Sequence, residues 1–357
     1  MHIVTNSTPI RHRDGILQPG EWLCQDQNAF EFALMAERGT VKITPWSFYG
    51  DRRGMRFTAE GEVGDRVSLP RSILLIRSGA IGDLLLLTPA IRALRAKHPK
   101  AMIWLSCFKK HWDIFAQGDT HFVEYPVPAS ELAQFDLITP LENVIEIATE
   151  KGIHATDAFA EALGVTVTDY KPVYRITDEE YVWRESNLGN TLKPRVGIQL
   201  HASAQIRNYP MAQWNAVLQM LVQRGWEVML LGNNVAMQGA PKEIKDCSKL
   251  SFREAAAVLA TCDVFCGVDS SFFNLCPALG VPAIGLFGPV DWRTRIKEGS
   301  GQRALVGNGC EPCGWFASKV GVQFPPLGPC AKEKQCVLLE SIKPEYIVSK
   351  IEQAALK

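Results

Sequence analysis

From Ser72 onward the chain alternates short β-prone apolar runs with stretches of helical spacing. That alternation confines it to the α/β class, because strands separated by helices pair in parallel. The pattern is set by "ILLI" at 73–76, a Gly-containing loop, and a stretch in which Leu84, Leu87, Ile91 and Leu94 fall on one helical face. "AMIWLSC" at 101–107 reads as the next strand, and weaker signals run through "FDLIT" and "HATDAFAEALG". Residues 71–175 are thus predicted to form one α/β domain, and the polar segment 176–194 a linker. A second alternation fills 195–342: "RVGIQL", "WEVMLLG", "DVFCGV" and "VPAIGLFG" as strands, with helices over "PMAQWNAVLQMLVQRG", "SFREAAAVLATC" and Ser270 to Leu279. Residues 343–357 are predicted to close the chain as a helix.

The first seventy residues are built differently. Patches such as "TVKITPWSF" and "GMRFTAEGEV", separated by Gly and charged residues, predict a small β-rich appendage over 1–70. The whole chain, 357 residues at 46% hydrophobic content, is long enough for two buried cores.

Charge narrows the partners. Lys plus Arg and Asp plus Glu are 38 each, so no global field recruits nucleic acid, and an anionic ligand must be held locally. No apolar run approaches the roughly 18 residues of a spanning helix, and the N-terminus lacks a secretory pattern; the expectation is a cytoplasmic protein whose membrane contact, if any, is peripheral. Cys24, Cys107, Cys247, Cys262, Cys266 and Cys276 are scattered and read as small buried hydrophobes in a reducing compartment.

Two parallel sheets in one chain invite a ligand cleft at the carboxyl ends of their strands, so the expected site lies between the domains. Three strand-to-helix loops carry suitable groups. In "RSGAIGD", Gly79 and Gly82 permit a tight turn and close approach to a ligand, and Asp83 stands at the helix start; a carboxylate serving the helix dipole is the plainer reading. The loop is not GxGxxG, which disfavours a dinucleotide-dependent dehydrogenase. In "LHASAQIRNYP", His201, Ser203 and Arg207 share one loop, and the guanidinium offers forked, permanent positive charge to a diphosphate; the alternative is a solvated surface loop. In "GVDSSFFNL", Asp269, Ser270 and Ser271 begin a helix whose N-terminus favours anions, with a plain N-cap as the alternative.

In this order and spacing the three loops resemble glycosyltransferase family nine, the ADP-heptose:lipopolysaccharide heptosyltransferases, over roughly residues 72–350. The likeness is carried by "ILLIRSGAIGDLLLLTPAIRALRAKHPKAMI" and by "LFGPVDW" at 286–292. It implies a GT-B-like fold of two Rossmann-like parallel-sheet domains facing a central cleft, and an inverting transfer of heptose or a related sugar. The implied donor is a nucleotide diphosphate sugar, ADP-heptose first, and the implied acceptor a surface glycan, a lipid-linked glycan or a protein. Asp83 matches the proposed base of the family. Arg207 matches a donor-phosphate cation that is commonly Lys, and Ser203 a donor-binding hydroxyl. In the third loop Asp269 and Ser270 fit the family pattern, whereas Ser271 replaces Gly and Asn274 replaces His; Asn still donates hydrogen bonds but carries no charge. An acidic residue for the ribose is not evident in "LLGNNVAMQGA".

Cys310 and Cys313 form a C-x2-C pair, followed by Cys330 and Cys336 within the segment 308–337. Four thiolates so spaced can close a structural zinc or iron site, leaving no open position for catalysis; free or partly buried thiols are the other reading. A four-cysteine iron-binding finger in the autotransporter heptosyltransferase branch is similar. No catalytic metal is expected. Two further functions stand beside the transferase: a nucleotide-sugar epimerase of the same architecture, and a catalytically silent nucleotide-sugar-binding protein.

Overall fold

The computed structural model describes residues 2–12, 15–24, 32, 35–36, 41–45, 70–115, 120–189, 191–232, 241–313 and 335–356. The chain divides into two compact units: residues 1–79, 90–144 and 159–166 form the first, and 80–89, 145–158 and 167–357 the second.

In the first unit, strands β1 (His2–Asn6), β2 (Ile10–His12), β3 (Gly15–Leu17), β4 (Gly20–Cys24) and β5 (Val41–Pro45) come from the N-terminal segment. Then follow β6 (Ser72–Ile76), β7 (Met102–Cys107), β8 (His121–Glu124), β9 (Val127–Pro128) and β10 (Leu137–Pro140). Strands β6, β7, β8 and β10 make a parallel sheet in the order β10-β6-β7-β8, and β6, buried at every position, is the "ILLI" run of the sequence. An antiparallel sheet has the order β5-β1-β4-β9, and β9 comes from the α/β part of the chain. Ile3 and Leu23 consequently pack in one core with Leu74, Ile76, Leu132 and Ile138. The N-terminal segment is therefore built into the first α/β unit instead of hanging from it. The predicted strand at "GMRFTAEGEV" lies outside the described residues.

Helix α1 (Ile81–Lys97) buries Leu84, Leu87, Ile91 and Leu94, as their spacing predicts. It also contains Pro89, which has no N–H to give to the carbonyl of Leu85. The Thr88 hydroxyl donates to that carbonyl instead, at 2.7 Å, and in turn accepts from the Val173 N–H at 2.8 Å. The neighbouring Leu86 carbonyl accepts from the Thr156 hydroxyl at 2.9 Å. A proline that ordinarily breaks a helix is thus accommodated by side chains of the second unit, to which residues 80–89 belong.

The next helices are α2 (Val144–Glu150), whose residues 145–150 belong to the second unit, α3 (Ala155–Ala162), whose residues 155–158 do, and α4 (Asp178–Leu188), which lies wholly in it. The polar stretch read as a linker therefore holds a helix. Its start is fixed by a capping box, in which Thr177 accepts from the Glu180 N–H and Glu180 from the Thr177 N–H. None of its residues is buried, which is why apolar periodicity gives no sign of it.

The remaining elements are β11 (Arg195–Gln199), α5 (Met211–Gln223), β12 (Glu227–Leu230), β13 (Lys245–Asp246), α6 (Phe252–Leu259), β14 (Val264–Val268), α7 (Ser271–Leu279), β15 (Ala283–Phe287), β16 (Gln302–Val306), α8 (Val337–Glu340) and α9 (Pro344–Ala355). The six strands form one parallel sheet, β13-β12-β11-β14-β15-β16. β11 and β14 are central and buried throughout, which explains the apolar run of β14 and the Val-Gly-Ile centre of β11. Trp214 of α5 is fully buried against this sheet's core, edge-on to Tyr209. The six scattered cysteines are free and buried; burial pushes the Cys107 thiol up to about 12 and the Cys247 thiol up to about 11.

His154, just before α3, is 6% exposed, and its Nδ1 accepts the Thr156 N–H at 3.2 Å. Burial first, and the charge of Lys297 second, lower its pKa from 6.5 to about 4. Between those two values the unfolded chain binds a proton that the folded chain refuses, so stability falls as pH drops through that window. Urea unfolding at pH 7 and pH 5 is expected to show this residue contributing a loss of about 2 kcal/mol. The His154→Gln variant is expected to lack that share of the decline.

Candidate functional site

In a parallel sheet every strand delivers its carboxyl end to the same edge, and the loops there bind ligands. At that edge of the second unit, β11 runs into the loop 200–210 and β14 into Asp269 and α7. The loop is shaped by its own side chains: Asn208 accepts the Ala202 N–H at 2.7 Å, and Gln205–Arg207 form one 3-10 turn. The turn projects Arg207 toward the β14 loop. Its Nη1 donates to the Asp269 carbonyl at 3.1 Å and to the Asp269 carboxylate at 3.2 Å, and its Nη2 donates to the Ser203 hydroxyl at 2.9 Å. Three residues that the sequence places in two separate loops are therefore one cluster. Asp269 is 3% exposed and orients the guanidinium from the protein side, while Ser203 is exposed.

Helix α7 begins at Ser271 with Ser270 as its N-cap residue, yet the Ser270 side chain makes no capping hydrogen bond. The Ser270 hydroxyl instead donates to Oε1 of Gln199, the last residue of β11. A plain capping role for Ser270 is thereby ruled out in this structure. Ser271 and Asn274 lie against the first turn of α1: a Cβ on Gly82 would stand 2.9 Å from Asn274 Nδ2 and 3.5 Å from the Ser271 Cα. Glycine at position 82 is what allows this approach. Asn274 is 4% exposed, and its Oδ1 has no hydrogen-bond partner among the described residues.

Asp83, one residue beyond Gly82, is half-buried in that turn, and its N–H donates to the Ala80 carbonyl. The sequence assigned Asp83 to the first α/β domain. In the structure residues 80–89 group with the second unit, so Asp83 shares a unit with Arg207. Gly79 lies in the first unit, where a Cβ would stand 2.6 Å from Arg77 Nε. Its loop is held there by Glu142, which accepts the Ser78 N–H at 2.6 Å and pairs with Arg77 at 3.6 Å. His201 is partly buried, and that burial lowers its pKa, so it is neutral at pH 7 and adds no charge beside Arg207.

Gln199 and Glu142 escape a motif-based reading. The available signal for Gln199 is a polar residue at the carboxyl end of a central strand, immediately before a strand-to-helix loop. Of the cysteine set, Cys310 is partly exposed, Cys313 exposed and Cys336 buried, and Cys330 lies outside the described residues. The described histidines, cysteines and carboxylates form no group able to hold a metal.

The six-stranded parallel sheet thus carries charged and hydroxyl-bearing loops at its carboxyl edge, the edge at which open α/β sheets bind ligands. Residues 148–313 match the model of glycosyltransferase family 9 (heptosyltransferase), so this part of the chain is similar to that family. Comparison with curated protein sequences finds no match. Solved structures share the fold. The iron-containing dodecameric glycosyltransferase TibC from enterotoxigenic E. coli H10407 is 16% identical with a TM-score of 0.64, over 84% of this chain and 83% of that one. E. coli ADP-heptose LPS heptosyltransferase II is 13% identical at a TM-score of 0.60, over 80% and 98%. The family 9 glycosyltransferase of Veillonella parvula DSM 2008 is 17% identical at 0.61, over 82% and 99%.

Proposed function

We propose that this protein is a glycosyltransferase that moves a heptose or a related sugar, with inversion, from a nucleotide diphosphate donor, ADP-heptose first, to a glycan, lipid-linked or protein acceptor. The observation that carries the reading is the Ser203–Arg207–Asp269 cluster beside the uncapped N-terminus of α7, with the turn of Asp83 packed at the same helix. TibC in complex with ADP-D-β-D-heptose, 14% identical with a TM-score of 0.63, supports the choice of donor.

In this reading the Asp83 carboxylate takes the proton of the acceptor hydroxyl as its oxygen bonds to the anomeric carbon. The bond from that carbon to the donor phosphate breaks, and the nucleotide diphosphate leaves with the bonding electrons. The growing charge is met by Arg207, the Ser203 hydroxyl and the N–H groups at the start of α7. No step passes through a metal. The described helices include none long and apolar enough to cross a membrane. We place the reaction in the cytoplasm, feeding a surface glycan such as lipopolysaccharide.

A thermal-shift screen of ADP-heptose, UDP-sugars and GDP-sugars tests the donor. ADP-heptose at a hundred times its Kd is expected to add about 2.7 kcal/mol, a rise of several degrees in Tm. A response to UDP- or GDP-sugars alone would replace the donor, and donor turnover without acceptor would replace transfer by epimerisation.

A further inference from the structure

Two side chains flank the N-terminus of α7 and are chemically suited to cap it, and both are held elsewhere. Asp269 is engaged by Arg207, and the Ser270 hydroxyl by Gln199. Serine is among the preferred N-cap residues, and Ser270 already has the extended backbone of one, φ −156° and ψ 174°. Left to itself, its oxygen would accept an N–H from the first turn of α7. That N–H is one of the donors a phosphate needs.

Gln199 is built to hold the hydroxyl away. It is 8% exposed, and its Nε2 donates to the His201 carbonyl at 3.2 Å, which leaves Oε1 facing Ser270. A glycine closes on it: Gly232, at φ +81°, would put a Cβ 3.1 Å from Gln199 Nε2. The amide is thus confined, with one end on the Arg207 loop and the other on the start of α7.

We propose that Gln199 is a positioning residue that keeps the Ser270 hydroxyl off the N-terminus of α7 and so keeps that terminus open for the donor's phosphates. This rests on the donor site proposed above.

The test is calorimetric titration of the full-length protein with ADP. Gln199→Ala frees Ser270 to cap the helix and is expected to weaken ADP binding about fivefold, the worth of one cap. Ser270→Ala leaves nothing to cap with, and its ADP affinity is the reference for the double variant. The double variant Gln199→Ala/Ser270→Ala is expected to recover the affinity of Ser270→Ala. Recovery separates this role from a structural one, since a collapsed loop would not be repaired by removing a second hydrogen-bonding group. A Gln199→Ala protein that binds as tightly as wild type, or a double variant as weak as Gln199→Ala, overturns the proposal. Wild-type protein that binds no ADP overturns the donor site itself, and the role of Gln199 with it.

Discussion

Asp83→Asn is expected to lower turnover by about 10²- to 10⁴-fold while leaving donor affinity unchanged. That range is the usual worth of a positioned general base, and the amide keeps the shape of the carboxylate while losing its ability to take a proton. The plainer role, a carboxylate in the first turn of α1 favoured by the helix dipole, predicts a different result: a stability loss of about 0.3–1 kcal/mol and near-normal turnover. Single-turnover rates measured beside ADP affinity and unfolding free energy tell the two apart. Full activity in the Asn variant would remove Asp83 from the chemistry.

Arg207→Ala is expected to weaken donor binding by about a hundredfold or more, because it removes the cation of the site and the anchor of Ser203. It also strands the Asp269 carboxylate, 3% exposed, so a stability loss of about 2–4 kcal/mol is expected, below the full cost of breaking a deeply buried pair because Arg207 is partly exposed. The double variant Arg207→Ala/Asp269→Asn separates the two effects. Neutralising the stranded carboxylate is expected to restore stability without restoring donor affinity. Arg207→Lys keeps the charge but not the fork that serves Asp269 and Ser203 together, and is expected to fall between. Unchanged ADP affinity in Arg207→Ala would place the donor elsewhere.

Much of the second unit was legible from pattern alone. β11, β12, β14 and β15 are short buried strands whose apolar runs announce them, and α5 and α6 carry helical periodicity. α4 was hidden because it buries nothing, and β13 because two residues cannot establish a period. The attachment of the N-terminal segment was hidden for another reason. It runs through β9, a two-residue strand about one hundred residues away in sequence from β4, its partner.

The site divides in the same way. Ser203, Arg207, Asp269 and Ser270 could be picked out as polar residue types in strand-to-helix loops, where the structure places them. Their pairing could not be read. Nothing local says that Arg207 turns to Asp269, that Ser270 spends its hydroxyl on Gln199, or that Gly82 brings the turn of Asp83 against α7.

By itself the sequence determined the α/β class, most of the strands and helices, and the inventory of groups able to act on a phosphate, since periodicity and side-chain chemistry are local properties. Only the tertiary structure decided which of those groups are committed to one another and which helix end is left open. Hydrogen bonds between residues 62 and 71 positions apart depend on how strands are ordered in the sheet, and that order is a property of the folded chain as a whole.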